Sequence, residues 1–279
     1  MSEDHVYLTL AEEHPGGDAA HWAFGTGFED PLLGLDPAVP ADLDGAALAA
    51  QCLALGDDAL VLAQRLAEWC TRAPELEEEV ALANLGLDLL GQARLLYTRA
   101  GQADGSGRGE DAYAYFRDPA EFRNVRLAEL PNGDFACSTA RLLVLSAWRL
   151  AVFEQLAATS ADPVLAAIAA KGLKELGYHR LYAAEWAVRL GDGTEESARR
   201  MQAGLDRVAP YLDELNAAEP QVREQLAAVL RQVAETAGLV LSEAEPLPGS
   251  GRDGQHTDHL APLLTELQSV ARADPEATW

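Results

Sequence analysis

From Leu43 onwards the chain has the residue pattern of successive α-helices, and this limits its fold more than any other feature. Ala, Leu, Glu, Arg and Gln predominate, which are residues of high helix propensity, and no long alternating run predicts a β-strand. We therefore predict an all-α fold. Stop signals such as Pro74 and Gly101 divide the pattern into long helices, which are predicted at about 43–71, 77–100, 134–158 and 162–190.

The connections predict how these four helices pair. Short loops join the first helix to the second and the third to the fourth, so each pair should form an antiparallel hairpin. A long connection, residues 101–133, separates the two pairs. Two hairpins joined by one crossover give the connectivity of a ferritin-like four-helix bundle. Further C-terminal helices are predicted near 195–215, 221–236 and 257–273.

The N-terminal segment differs from the rest of the chain. Residues 1–44 contain PGG, TG, DP and VP and show little period of either kind, which predicts irregular structure. We therefore expect an irregular N-terminal extension, residues 1–44, followed by a single ferritin-like helical bundle domain, residues 45–279.

Charge and cysteine content exclude several classes of function. The net charge of −24 argues against binding to nucleic acid or to an anionic membrane surface. Charged residues interrupt the apolar runs, so no membrane span is expected, and the start MSEDHVYLTL lacks the pattern of a secretory signal. Three cysteines without metal-ligand spacing fit a reduced compartment, so a cytoplasmic location is predicted.

A repeated phrase connects the second and fourth helices. LGLDLLGQARLLY begins at Leu85 and KGLKELGYHRLYA begins at Lys171, and the two share Gly, Leu and Arg at six aligned positions. The repeat predicts that the two helices are pseudo-equivalent. At one aligned polar position the residue types differ, because Asp88 corresponds to Lys174.

Bundles of this class often hold two metal ions, using a Glu from each of two helices and a Glu-x-x-His from each of the other two. The repeat does not supply these ligands, since Gly91 and Gly177 stand where His is needed. His179 follows Glu175 by four residues rather than three, and protonated Lys174 would repel a metal ion. No intact dinuclear site, and no cofactor in this chain, is therefore expected.

We instead predict a buried polar network in place of metal. Asp88 and Lys174 are expected to form a salt bridge between the helices, with Asn84 and Gln92 completing its hydrogen bonds, so Lys174→Ala should cost roughly 3–5 kcal/mol. The alternative is that these residues are ordinary surface charges. The predicted remnant of a metal site comprises Asp57, Asp58, Asp88, Lys174, Glu175 and His179.

Long phrases between Leu55 and Trp279 resemble the C component of the bacterial phenylacetyl-CoA epoxidase, a multicomponent oxygenase of phenylacetate degradation. These phrases are LGDDALVLAQRLAEWC, APELEEEVALANLGLDLLGQAR, FRNVRLAELPNGDFA, IAAKGLKELGYH, VRLGDGTEES and GQHTDHLAPLLTELQSVARADPEATW. The resemblance implies a ferritin-like fold and membership of a complex that uses dioxygen and reducing equivalents to epoxidise the substrate ring.

The resemblance also implies which subunit of that complex carries each role. A separate catalytic subunit would hold the di-iron site, and a reductase would supply electrons. The C component would be a metal-free structural partner that forms a core complex with the catalytic subunit. Its interface is expected on the exposed sides of the four long helices. When purified alone, the chain is expected to form a homodimer.

Two other functions remain open at this stage. The first is an oxidase or oxygenase with its own degenerate metal centre, built from Asp57 or Asp58 with Asp88, Glu175 and His179. The second is a CoA-ester binding module, for which the candidate phosphate ligands are Arg123, Arg126, Arg141 and Arg180.

Overall fold

The described part of the chain is all-helical, as predicted. The structure is a computed structural model and describes residues 32, 34–217 and 219–277. Most of the predicted N-terminal extension, residues 1–31 and 33, lies outside the described residues. The helices are α1 (Gly45–Ala67), α2 (Leu76–Ala103), α3 (Glu110–Tyr115), α4 (Phe135–Thr159), α5 (Pro163–Gly191), α6 (Glu195–Val208), α7 (Leu212–Leu215), α8 (Pro220–Ala237) and α9 (Leu260–Ala273).

Local signals explain where the long helices begin. The Asp44 carboxylate accepts hydrogen bonds from the first backbone amides of α1, and Asp134 caps α4 in the same way. Asp162 caps α5, whose first residue is Pro163. The predicted helix starts therefore agree with the structure to within a few residues.

Two predicted helix ends are wrong by a few residues. The first helix ends at Ala67 rather than near Thr71, and Thr71 itself has a positive φ of 65° that lies outside the right-handed helical region. The second continues through Gly101 to Ala103. A Cβ at Gly101 would lie 2.1 Å from the Arg108 carbonyl oxygen, so glycine serves close backbone packing there rather than helix termination.

The four long helices pack as two hairpins, forming a ferritin-like bundle. α1 packs along α2 and α4 along α5, while contacts between α2 and α5 join the hairpins. α6 and α8 pack on the second hairpin. The repeated glycines have matching roles, since a Cβ at Gly86 would touch α1 and a Cβ at Gly172 would lie 2.8 Å from the Phe153 ring of α4.

The crossover between the hairpins carries local helix that the sequence pattern did not predict. It contains α3 and the 3-10 turn Arg126–Glu129, besides the turn Pro119–Glu121, whose N-cap residue is Asp118. α9 packs on α3, so the C-terminal segment holds the crossover against the bundle.

Two of the described helices pass a length and hydropathy test for membrane spans. These are Gly45–Ala67 and Phe135–Thr159, and 67% and 89% of their apolar windows are buried within the bundle. Helices at the core of a bundle have this composition because they are surrounded by other helices.

Candidate functional site: a guanidinium among the four long helices

Arg149 of α4 lies at the centre of a polar layer that connects the four long helices. It is almost fully buried. Its Nε donates to Gln92 Oε1 of α2 at 2.9 Å, and its Nη1 donates to the Leu55 carbonyl oxygen of α1 at 2.9 Å. The guanidinium also lies 4.6 Å from the centre of the Phe153 ring, and its Nη2 has no hydrogen-bond partner within the described part of the chain.

Gln92 continues this layer to α5. Its Nε2 donates to Glu175 Oε2 at 2.8 Å, so one amide side chain connects the guanidinium to a carboxylate. One turn away, His179 Nε2 and Asp88 Oδ2 are hydrogen-bonded at 3.0 Å. His179 is buried while Asp88 is half-buried. The structure therefore brings together Asp88 with His179 and Gln92 with Glu175, while Asn84 is exposed, and that these residues are the remnant of a metal site stays a prediction.

Burial dominates the electrostatics of this layer. It lowers the pKa of the Arg149 guanidinium to about 10, and the nearby Asp58 carboxylate opposes that shift. Burial likewise raises the pKa of the Glu175 carboxyl, against the hydrogen bond from Gln92. Arg149 is therefore a cation at neutral pH, placed between carboxylates on α1 and α5.

Arg149 could have been found from its surroundings in the sequence. It follows RLLVLSAW and precedes LAVF, and it is the one charged residue between Arg141 and Glu154. A helix that is apolar on every side is buried, and a charge within it must be satisfied by partners. The repeat drew attention to α2 and α5 instead, and α4 lies outside it.

Asp57 and Asp58 of α1 are buried, but they bind the crossover and the C-terminal segment. Asp57 accepts from Tyr97 Oη at 2.7 Å and forms a buried ion pair with Arg117. Asp58 accepts from the Val125 amide at 2.8 Å and from Arg252 Nη2 at 2.6 Å. Burial raises the pKa of Asp58, and Arg252 opposes that shift.

The predicted salt bridge between Asp88 and Lys174 is wrong. Lys174 is exposed, and Asp88 contacts His179 instead. On α5, the side chains of Glu175 and His179 reach α2. Glu175 lies one residue beyond the position that the repeat indicates, and His179 lies one turn further along the helix. An α-helix turns by about 100° per residue, so an offset of one residue moves Lys174 from the predicted inner side to the outer side.

The side chains at the centre do not fit a two-metal site. Glu175 is bound to an amide, His179 to Asp88, and the guanidinium of Arg149 would repel a metal ion. Within residues 32, 34–217 and 219–277, no group of three or more His, Cys, Asp or Glu side chains is arranged to hold a metal. That this chain carries no metal remains a prediction.

The four arginines considered for CoA-ester binding have separate surroundings. Arg123 donates to the carbonyls of Ala120 and Phe122, while Arg126 binds Glu214 and three carbonyls of the C-terminal segment. Arg141 is buried and donates to Leu130 and Asn132. Arg180 lines a groove between α5 and α8. The structure therefore does not bring the four together as one phosphate site.

Comparison with known proteins gives two matches. A family described as phenylacetic acid catabolic protein matches residues 36–279. The C component of the 1,2-phenylacetyl-CoA epoxidase of Escherichia coli (strain K12) is 42% identical over 247 residues, which cover 83% of this chain and 99% of that protein.

Proposed function

The chain belongs to the family of phenylacetic acid catabolic proteins, and from this premise we propose that it is the structural subunit of a phenylacetyl-CoA epoxidase. It has no active site of its own and forms a core complex with the metal-bearing catalytic subunit. A reductase supplies electrons to the complex, which is cytoplasmic. The resemblance noted in the sequence and the match to the C component of the Escherichia coli epoxidase support this role.

The position of Arg149 is the observation that carries the structural role. A dinuclear centre in this kind of bundle requires carboxylates and histidines that converge between the four long helices. Here a buried guanidinium lies between those helices, bound to Gln92 and to a carbonyl of α1. A fixed positive charge at that point opposes metal binding and holds the helices together in its place.

Reconstitution from purified components tests the proposal. Oxygen consumption and product formation from phenylacetyl-CoA are measured for this chain alone, for the catalytic subunit with the reductase, and for all three together, with iron content determined for each protein. We expect no turnover and no stoichiometric iron for this chain, and higher turnover for the catalytic subunit when this chain is added.

Two results would overturn the proposal in favour of another function. Oxygen-dependent turnover by this chain alone, together with bound iron that His179→Ala removes, would establish a separate oxygenase. Calorimetric binding of phenylacetyl-CoA to this chain alone would establish a CoA-ester binding module. Glu185→Gln, an exposed change on the same helix as His179, is the matched control for the first experiment.

A further inference from the structure

The outer side of α2 carries an exposed apolar stripe with the spacing of a coiled-coil seam. Leu76, Val80, Ala83, Leu87 and Leu90 follow one another at alternating intervals of four and three residues. The exposed fractions are 71% for Leu76, 53% for Val80, 64% for Leu87 and 36% for Leu90. Such a seam is what one helix presents to another in knobs-into-holes packing. We call these five residues the α2 stripe.

The α2 stripe is distinct from the side of α2 that faces the core. The core side uses a second set of large residues, which are almost fully buried, namely Leu82, Leu85 and Leu89. α2 is therefore apolar on two sides, and only one of them is covered by α1 and its neighbours. A helix that is apolar on more than one side is typical of a position between packed layers. A contiguous exposed apolar patch of this kind marks an interaction surface.

The charges beside the stripe show which partner would fit. Glu77 and Glu79 flank its N-terminal end, next to Leu76 and Val80 on the helix surface. Two copies of α2 packed in parallel would place these glutamates against each other. Antiparallel copies would place Glu77 and Glu79 opposite uncharged flanking residues, Asn84, Gly86 and Gly91, which offer them no cation. The parallel arrangement brings like charges together, the antiparallel one leaves the glutamates unpaired, and each copy already has a net charge of −24, so a second copy of this chain is a poor partner for the stripe.

We propose that the α2 stripe packs against a helix of a different chain, whose own apolar seam is flanked by Lys or Arg where it meets Glu77 and Glu79. This inference rests on the proposed function, which makes that chain the catalytic subunit of the epoxidase. Apolar packing along two heptads supplies the affinity, and the glutamates select the partner and its direction.

Affinity measurements with the purified catalytic subunit test the interface. Leu87→Asp places a charge in the middle of the stripe and is expected to weaken binding by at least about 10-fold. Glu77→Lys combined with Glu79→Lys is expected to weaken binding about 2- to 10-fold at low salt, with a smaller effect at high salt. Val270→Asp, which changes an exposed apolar residue of α9, is the matched control and should leave the affinity unchanged. Circular dichroism and thermal melting check that each variant is folded.

The outcomes separate this inference from the proposed function. If the unmodified chain does not bind the catalytic subunit, the proposed function fails. If it binds and Leu87→Asp binds equally well, only the α2 stripe is excluded. A homodimer that Leu87→Asp dissociates would show that a second copy covers the stripe, and this would overturn the choice of partner.

Discussion

The inner and outer sides of α2 and α5 differ in hydrogen bonding and in exposure to solvent, although both helices contain the same repeated sequence motif. On the inner side, Gln92 and Glu175 are hydrogen-bonded to each other, and Gln92 is bound to Arg149. On the outer side, Leu87 and Lys174 are exposed. Glu175 and Lys174 are adjacent in the sequence, so a rotation of one residue decides between a buried network and a solvent-facing surface. A sequence repeat locates corresponding positions, but it does not fix which of them point inward.

The largest expected effect is on the inner side, at Arg149. Arg149→Ala leaves a cavity and removes the donors to Gln92 and to the Leu55 carbonyl, so the free energy of unfolding should fall by roughly 3–5 kcal/mol. Urea denaturation measures this loss. Arg149→Met keeps much of the volume without the charge and should cost less than Arg149→Ala. A loss below about 1 kcal/mol for Arg149→Ala would mean that water replaces the guanidinium without penalty.

A matched pair of glycine substitutions on α5 compares the stability effect of an added methyl group on its inner and outer sides. Gly172→Ala puts a Cβ at 2.8 Å from the Phe153 ring and should destabilise the fold by about 1–3 kcal/mol. Gly177→Ala on the same helix meets no atom within 4 Å and should stabilise the fold by about 0.5–1 kcal/mol, because alanine favours helix. The difference is measured by urea denaturation, and equal effects of the two variants would contradict the packing of α5 on α4.

The inner side should also give a pH-dependent stability through Glu175. Its pKa is raised in the folded protein from the usual 4.5, because burial disfavours the carboxylate. The folded state therefore retains a proton that the unfolded state loses, so the free energy of unfolding falls as pH rises from about 4.5 through the raised pKa.

Glu175→Gln removes this proton equilibrium. The stability of the variant relative to the unmodified protein should therefore increase as pH rises from 4.5 through the raised pKa, as measured by urea denaturation at a series of pH values. Glu185→Gln, an exposed substitution on the same helix, controls for the change in net charge. A stability difference that does not vary with pH would place the Glu175 carboxyl in water.

The smallest expected effect is on the outer side, at Lys174. Because this residue is exposed, Lys174→Ala should change the free energy of unfolding by no more than about 0.5 kcal/mol. A loss near the roughly 3–5 kcal/mol expected for a broken buried ion pair would instead support the salt bridge to Asp88 that the sequence predicted.

Much of the fold could be predicted from particular residues. Asp44, Asp134 and Asp162 mark the starts of three long helices, and each carboxylate caps its helix. Boundaries that depend on distant packing were less predictable. Gly101 looked like a helix end because glycine is common there, yet it lies within α2 and makes room for the Arg108 carbonyl.

The candidate site was predicted in part. The repeat indicated a polar contact between α2 and α5 through Asp88 and Lys174, and the structure forms that contact through Asp88 with His179 and Gln92 with Glu175. Asp57 and Asp58 are buried, but they pair with Arg117 and Arg252, which come from the crossover and the C-terminal segment. Pairings between residues so far apart in sequence depend on how segments meet in space, and no local pattern encodes them.

The sequence by itself determined the helical class, the four long helices and the absence of a Glu-x-x-His pair from the repeat, because periodicity, caps and ligand spacing are local properties. The tertiary structure decided that Arg149, rather than Lys174, supplies the cation of the polar layer between the four long helices. The physical reason is rotation about the helix axis. The direction of each side chain is set by how two helices pack, and a shift of one residue, about 100°, exchanges core for solvent.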